Sequence, residues 1–332
     1  MSKEDSSKRP QFKKWNGTVL LVFQGLVIVA ATSRFSRLFN SRVLMPELVR
    51  FQPAREFSEE KRSLLCFVML AHDQYGVRAH QVMDAWGPRC DKLLFVGAKE
   101  EENATSIPHV KLLEKEEDTP GELSRKAHRA WKHIYDNHVD DYDFFMKADL
   151  DTYMLMDNYF SFIKRLDPSI PHYFGRQFKE LRNPARTFVA GASVTLSRAA
   201  LQRLGRAFNN DNKQSNKCST ASWKEHGHGD DVALAHCLAT LGIYSLDTRD
   251  ELGRERFMVF NVDFMKSDVN LPSEDWYTRM AFNSKIGPGC CSDKAICFHY
   301  VDSSKLSVPL VFNNGVWDWD HNASSATAIA IH

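Results

Sequence analysis

The stretch that decides the fold is LLCFVML, residues 64–70, an unbroken run of apolar side chains. Such a run is typical of a β-strand that is covered on both of its faces. A short helical pattern follows between His80 and Trp86 and is closed by Gly87-Pro88, and KLLFV at 92–96 is a second apolar run. The order predicts a strand, a helix and a second strand parallel to the first.

The same alternation continues along the chain. Residues 122–137 carry apolar side chains at helical spacing, namely Leu123, Ala127, Ala130, Trp131 and Ile134. The next apolar strand, DFFMK at 143–147, leads directly into Asp149. The predicted fold class is therefore α/β, with a mainly parallel sheet flanked by helices. In such sheets ligands bind beyond the carboxyl ends of the strands, where Asp149 and Asp151 fall.

The overall composition excludes some classes of function. The 332 residues are 43% hydrophobic and 26% charged, as in ordinary globular proteins. A formal net charge of +1 provides no basic field, so we expect no nucleic-acid partner. The sequence contains no glycine-rich phosphate loop, so any phosphate must be bound in another way.

An apolar segment at 15–32 follows several basic residues, Lys8, Arg9, Lys13 and Lys14. Its length is close to the roughly 20 residues that a bilayer span requires, and the basic flank favours a cytoplasmic N-terminus. We favour an uncleaved anchor over a cleaved signal peptide, and both place the remaining chain in the secretory lumen. The expected parts are a cytoplasmic tail at 1–14, a transmembrane signal anchor at 15–32, a stem at 33–61, a folded domain at 62–303 and a C-terminal tail at 304–332.

Asp149-Leu150-Asp151 is a candidate metal-binding motif at the tip of the third strand. Two neighbouring carboxylates repel each other unless a cation neutralises them. Magnesium and manganese are commonly held by one or two carboxylates together with substrate phosphates, which suits a nucleoside diphosphate leaving group. From these residues alone, a solvated turn with capping aspartates is an equally good interpretation.

Four segments carry a resemblance to a known family: YDFFMKADLDTYMLMDN (142–158), HYFGRQFK (172–179), GDDVALAHCL (229–238) and GPGCCSDKAICFHYVDS (287–303). From about residue 64 to 303 the chain resembles the β-1,3-galactosyltransferases of glycosyltransferase family 31, above all those that build core 1 O-glycans. The resemblance implies a GT-A type fold and an inverting transfer of galactose from UDP-galactose to the 3-hydroxyl of GalNAc on Ser or Thr of glycoproteins. It further implies Mn2+, a single-pass type II Golgi membrane location with a luminal catalytic domain at 62–303, and a homodimer as one oligomeric option.

The resemblance also assigns roles to the acidic residues. Asp149 and Asp151 would bind the metal and the donor diphosphate, and His299 would be a further metal ligand. Asp231 is expected to be the general base that takes the proton of the acceptor hydroxyl, with Asp230 as the second choice. The alternative for this pair is an N-terminal helix cap, because a helical pattern follows it.

Further positions match the substrate-binding segments of the family. They are Arg78, Trp86, Gly175 and Arg176 on the donor side, and Trp276 and Gly191 on the acceptor side. Without the resemblance, Arg78 would be an ordinary surface residue, and Trp86 and Trp276 would be core tryptophans.

The chain departs from the family in the segment that faces the sugar. The family pattern Ser-Gly-Gly-Ala-Gly-Tyr corresponds to VAGASV at 189–194, in which two glycines and the tyrosine are replaced. Added side chains there would narrow the pocket, so a different UDP-sugar or acceptor is an alternative function. A non-catalytic, chaperone-like member is a third hypothesis, but that branch lacks the acidic motif present here at Asp149 and Asp151.

Seven cysteines suit an oxidising compartment. The resemblance implies two disulfides, Cys66–Cys90 and Cys218–Cys237. Cys290 and Cys291 would form either a vicinal bridge or bonds to separate partners, and Cys297 would be the odd thiol.

Overall fold

The computed structural model describes residues 22–23, 26–27, 61–70, 76–97, 107–113, 119–209, 216–227 and 229–320. The chain divides into two units, Met1–Arg55 and Glu56–His332. In the first unit, β1 (Val22–Phe23) and β2 (Leu26–Val27) form an antiparallel pair. The rest of the predicted tail and anchor, and the stem up to residue 60, lie outside the described residues, so these boundaries stay predictions. Among the described residues, no helix has both the length and the apolar character needed for a membrane crossing.

The second unit consists of strands and helices that alternate in its first half. Its strands are β3 (Leu64–Met69), β4 (Lys92–Gly97), β5 (His109–Lys111), β6 (Phe144–Asp149), β7 (Tyr153–Met154), β8 (Tyr173–Lys179), β9 (Thr187–Ser197), β10 (Cys297–Phe298), β11 (Leu310–Asn313) and β12 (Val316–Trp319). Its α-helices are α1 (Val77–Asp84), α2 (Leu123–His138), α3 (Met156–Ile163), α4 (Arg198–Phe208), α5 (Thr220–Lys224), α6 (Asp230–Thr240), α7 (Val262–Met265) and α8 (Trp276–Met280). Short 3-10 helices occur at Gly87–Arg89, Pro120–Glu122 and Ser303–Lys305.

A six-stranded sheet in the order β5-β4-β3-β6-β9-β8 is the framework of this unit. The strands β5, β4, β3 and β6 are parallel, which confirms the predicted α/β class with a mainly parallel sheet. At one edge, however, β9 runs antiparallel to both β6 and β8. Antiparallel neighbours can be joined by a short hairpin, and here residues 180–186 make that connection.

The central strand β3 shows why the sequence around it is apolar throughout. Its side chains alternate between two cores: Leu65, Phe67 and Met69 on one face, and Leu64, Cys66 and Val68 on the other. The first core is completed by α2, α4 and α6, and the second by α1 and α3. Each large side chain that is fully buried in this way contributes about 1.5–3 kcal/mol to folding.

The disulfides follow the expected pairing. The bonds are Cys66–Cys90, Cys218–Cys237 and the vicinal bridge Cys290–Cys291. The first two confirm the pairs implied by the resemblance, and the third decides between the two alternatives for Cys290 and Cys291. Cys297 is free and buried, as the odd thiol was expected to be.

Candidate active site

A tight turn at 149–152 ends β6 and carries the acidic motif. The Thr152 N–H donates to the Asp149 carbonyl oxygen at 3.1 Å, which closes the turn. The Trp86 indole N–H donates to the Thr152 carbonyl at 2.9 Å, and the Thr152 hydroxyl donates to the carbonyl of Ala192 in β9 at 2.8 Å. Two hydrogen bonds of Thr152 therefore hold the turn: one from Trp86, which follows α1, and one to Ala192 in the sheet.

His299 connects the two carboxylates of the motif. Its Nε2 lies 3.1 Å from Oδ1 of Asp151 and 3.4 Å from Oδ2 of Asp149. The Val301 N–H donates to the Asp151 carbonyl at 2.9 Å, and the ring of Tyr300 stacks on the imidazole with 4.1 Å between centroids. Burial lowers the pKa of His299, but its hydrogen bonds to both carboxylates outweigh burial and raise that pKa to about 9. The two carboxylates therefore favour the protonated form of this imidazole.

Lys147 is a buried cation at the centre of a second acidic cluster. Its Nζ lies 2.6 Å from Oδ2 of Asp230, 3.7 Å from Oδ1 of Asp231 and 3.9 Å from Oδ1 of Asp149. Burial alone would lower the pKa of Lys147, but the charges of Asp230, Asp149 and Asp231 together raise it well above its ordinary value. Lys147 thus joins the motif at the end of β6 to the acidic pair of α6.

Asp230 and Asp231 open α6, where the helix dipole favours negative charge. The side chain of Asp230 is 8% exposed and bonded to Lys147, whereas that of Asp231 is 22% exposed. The backbone N–H of Gly191 lies near Asp231 and lowers the pKa of its carboxyl group. Burial, with the neighbouring charge of Asp230, raises the pKa of Asp231 to about 8. The two carboxylates therefore differ: Asp230 is bonded to Lys147, whereas Asp231 is more exposed.

Gly191 in β9 lies between Asp231 and His299. Its φ of +81° is in the region that favours glycine. A Cβ atom at this position would lie 2.9 Å from Cγ2 of Val259 and 3.7 Å from Nδ1 of His299. A larger residue at this position would therefore press on the side chain of Val259 and crowd the imidazole of His299.

The donor set of Asp149, Asp151 and His299 fits a divalent cation in its chemistry. Two carboxylates and an imidazole suit manganese or magnesium. The separations of 3.1 and 3.4 Å from Nε2 resemble the spacing of about 3.0 Å between neighbouring ligands in an octahedral shell with bonds of about 2.1 Å. Within the described part of the chain, no group of three or more His, Cys, Asp or Glu side chains is arranged to hold an ion. Instead, Nε2 of His299 directly contacts the carboxylates of Asp149 and Asp151.

Gly175 and Arg176, both predicted on the donor side, are buried in the interior. Arg176 is buried, forms an ion pair with Glu255 and donates to the hydroxyl of Tyr277 at 2.8 Å. A Cβ atom on Gly175 would overlap the carbonyl oxygen of Ser193 in the neighbouring strand. These contacts tie β8 to its neighbours, and none of them reaches the acidic cluster.

The remaining predicted residues lie around the site. Arg78 is half-buried in α1, which packs against the 3-10 helix Ser303–Lys305 close after His299. Trp276 begins α8, is 44% exposed and packs against Phe178 and Phe260 with ring centroids 5.8 and 6.0 Å apart. Trp276 is therefore partly buried, in agreement with the interpretation as a core tryptophan, and its remaining surface is exposed.

Lys147 is the functional residue that sequence reasoning missed. It lies in the segment FFMKAD, where its neighbours in the strand are buried. A lysine is almost never fully buried unless it is paired, so a lysine inside an apolar strand signals a buried ion pair. The partner, Asp230, is 83 residues away in sequence, and no local pattern identifies it.

Comparison with known proteins identifies a relative whose activity is known. No protein-family model matches the chain. The chain is similar to glycoprotein-N-acetylgalactosamine 3-beta-galactosyltransferase 1 of Xenopus laevis, with 28% identity over 279 residues, which cover 81% of this chain and 73% of that protein. This similarity agrees with the resemblance of the motifs and with the acidic cluster at the end of β6. The chain is therefore a glycosyltransferase enzyme related to this family of β-1,3-galactosyltransferases.

Proposed function

We propose that the protein transfers galactose from UDP-galactose to the 3-hydroxyl of N-acetylgalactosamine on Ser or Thr of glycoproteins, with inversion at the anomeric carbon. The name of the Xenopus laevis relative supports a galactosyl donor and a glycoprotein acceptor that carries N-acetylgalactosamine. The observation that carries the proposal is the continuous cluster from His299 through Asp149 and Lys147 to Asp231. It connects three side chains of the chemistry that Mn2+ requires with a candidate base.

Asp149, Asp151 and His299 would hold Mn2+, with the imidazole deprotonated at Nε2 when it binds the ion. The bound ion supplies positive charge that stabilises the developing charge on the diphosphate leaving group. Trp86 and Ala192 hold the turn that carries Asp149 and Asp151. The turn therefore keeps the two carboxylates oriented toward the same site.

Asp231 is the proposed general base. As the acceptor hydroxyl oxygen bonds to the anomeric carbon and the bond to the diphosphate breaks, the hydroxyl proton passes to the Asp231 carboxylate. A raised pKa makes this carboxylate a stronger base than an ordinary aspartate, and its exposure lets it reach a substrate. Asp230 is held by Lys147, so it is a positioning residue.

The same proposal includes a type II Golgi membrane location with the anchor at 15–32. The three disulfides support an oxidising compartment, as the Golgi lumen provides. UDP-sugar, glycoprotein and membrane are the proposed partners, and a homodimer stays a prediction.

The alternative, a different UDP-sugar or acceptor, was motivated by the replaced glycines. Ser193 and Ala192 are buried, and the Ser193 hydroxyl lies 3.8 Å from the Cys297 sulfur. The extra atoms of Ser193 therefore lie in the core. Ala190 is half-buried, so it is the replaced position at which an added methyl group could alter sugar binding.

A donor screen tests the proposal. The purified protein is incubated with a GalNAc-bearing peptide and UDP-galactose, UDP-glucose, UDP-GlcNAc or UDP-GalNAc, each with Mn2+ or with chelator. We expect transfer of galactose that depends on Mn2+. Transfer of another sugar would support the alternative, and a folded protein that transfers none of the four would refute the proposed function.

A further inference from the structure

The hairpin between β8 and β9 carries a concentration of positive charge. Arg182 and Arg186 are exposed at its tip, and Lys179 is half-buried at the end of β8. None of the three has a carboxylate partner among the described residues. Leu181, also at the tip, is 45% exposed. In a protein of net charge +1, three cations without counter-ions on one hairpin indicate an anionic ligand.

Exposed aromatic side chains adjoin this hairpin. A backbone bridge between Phe178 and Ala281 brings β8 beside the segment that follows α8. The ring of Phe282, 38% exposed, has the Lys179 ammonium 5.3 Å from its centroid. Trp276 packs on Phe178 and is 44% exposed. We call Lys179, Arg182, Arg186, Trp276 and Phe282 the hairpin surface.

Most of the nearby acidic groups are already engaged. Glu180 pairs with His236 at 2.7 Å, and Asp247 pairs with Arg249 at 2.6 Å. Asp275 accepts a hydrogen bond from the Tyr277 N–H at the start of α8. The three hairpin cations therefore keep their charge available to a ligand. Glu274, which precedes Asp275 and Trp276, is exposed and accepts a hydrogen bond from the Ser273 hydroxyl at 2.6 Å.

Strand β9 connects the hairpin surface to the proposed base. It begins at Thr187, directly after Arg186, and the backbone N–H of Gly191 within it lies near Asp231. At about 3.3 Å per residue, five residues of extended chain place Arg186 about 17 Å along the strand from Gly191. An extended peptide covers the same distance in about five residues.

We propose that the hairpin surface binds an acidic segment of the acceptor polypeptide, with Asp or Glu side chains about four to six residues from the glycosylated Ser or Thr. This inference rests on the proposed function, because it places the acceptor hydroxyl at Asp231. Carboxylates of the peptide pair with Arg182 and Arg186, and the peptide backbone or an apolar side chain packs on Trp276. Arg182 and Arg186 are then specificity-determining residues for the acceptor.

The test compares two GalNAc-peptides that differ by Glu or Gln at the fifth position from the glycosylated threonine. Binding to the full-length protein in detergent is measured by fluorescence anisotropy without donor, at two salt concentrations. The variants are R182Q/R186Q and, as a control that removes the same charge from exposed positions of α4, R203Q/R206Q. Because an exposed ion pair contributes modestly, we expect the Glu peptide to bind the unmodified protein about three- to ten-fold more tightly at low salt. The difference should shrink at high salt.

The preference should disappear in R182Q/R186Q and persist in R203Q/R206Q. Equal affinities for the two peptides, or the same loss of preference in both double variants, would overturn the inference. Because binding is measured without donor, an acidic preference in a protein that transfers no sugar would uphold the hairpin surface and refute the proposed function.

Discussion

Replacing Lys147 by methionine tests how the two acidic clusters are held together. Methionine keeps most of the side-chain volume but removes the charge that lies 2.6 Å from Asp230 and within 4 Å of Asp231 and Asp149. Because Lys147 and Asp230 are both buried, water cannot replace the lost ammonium. The variant leaves a buried carboxylate without a counter-charge.

The magnitude follows from the geometry. A 2.6 Å ion pair corresponds to a gross attraction of about 6 kcal/mol at an effective dielectric constant near 20, and desolvation of both ions offsets much of it. Removing one partner of a buried pair costs about 3–5 kcal/mol. Asp230 can take up a proton in the variant, so we expect a loss of about 3 kcal/mol in the free energy of unfolding. The double variant K147M/D230N removes both charges and should recover most of that loss.

Equilibrium unfolding in urea, with the disulfides intact, measures the free energies of the parent, both single variants and the double variant. The expected coupling energy between the two positions is at least about 2 kcal/mol, far above the limit within which independent sites add. A loss below about 1 kcal/mol for K147M, or additive effects in the double variant, would refute the assigned ion pair. K147R, which keeps the charge, should retain more stability than K147M.

Three further changes probe other contacts. D231N should retain UDP binding but lose about two to four orders of magnitude in the rate of transfer, and near-normal turnover would contradict its role as base. R176M leaves Glu255 buried without its partner, so unfolding in urea should show a loss of about 3–5 kcal/mol; a loss below about 1 kcal/mol would contradict the buried pair. C218S/C237S opens a disulfide with a sequence separation of 19, and an unchanged urea midpoint would contradict the expected cost of about 3 kcal/mol.

The parallel part of the sheet could be predicted because its strands carry their own signal. The predicted strands at 64–70, 92–96 and 143–147 match β3, β4 and β6 to within two residues at each end. Strands buried on both faces must be apolar throughout, and this pattern depends on no distant residue. The helix predicted at 122–137 matches α2 equally well, because a stripe of apolar residues at helical spacing is also a local feature.

The antiparallel edge could not be predicted in the same way. β9 contains Gly191 and Ser193, and β8 contains Gly175 and Arg176, residues that weaken or interrupt a strand pattern. Tertiary contacts explain why these residues occur in the strands: Gly175 packs against the Ser193 carbonyl, and Arg176 pairs with Glu255. The resemblance implied a donor-side role for Gly175 and Arg176. In the structure, Gly175 packs against β9 and Arg176 forms a buried ion pair.

For the acidic residues of the site, one group could be predicted from the sequence, but its connection to the second group could not. The resemblance predicted that Asp149, Asp151 and His299 act together, and the structure places them in contact. The bridge from this group to Asp231 is Lys147, whose partners are Asp149 at the end of the same strand and, far away in sequence, the acidic pair at the start of α6. Only the fold brings these charges together, so the connection between the two clusters had to be observed.

The binding of Mn2+ in the presence of UDP tests the central claim most directly. Titration calorimetry would compare the parent protein with D151N and with the control D157N, which removes a carboxylate that is 74% exposed in α3. We predict one Mn2+ site that tightens when UDP is present, survives in D157N and weakens by at least about ten-fold in D151N. Equal Mn2+ affinity in D151N and the parent protein, or no effect of UDP on that affinity, would contradict the claim that Asp149, Asp151 and His299 hold a cation against the diphosphate.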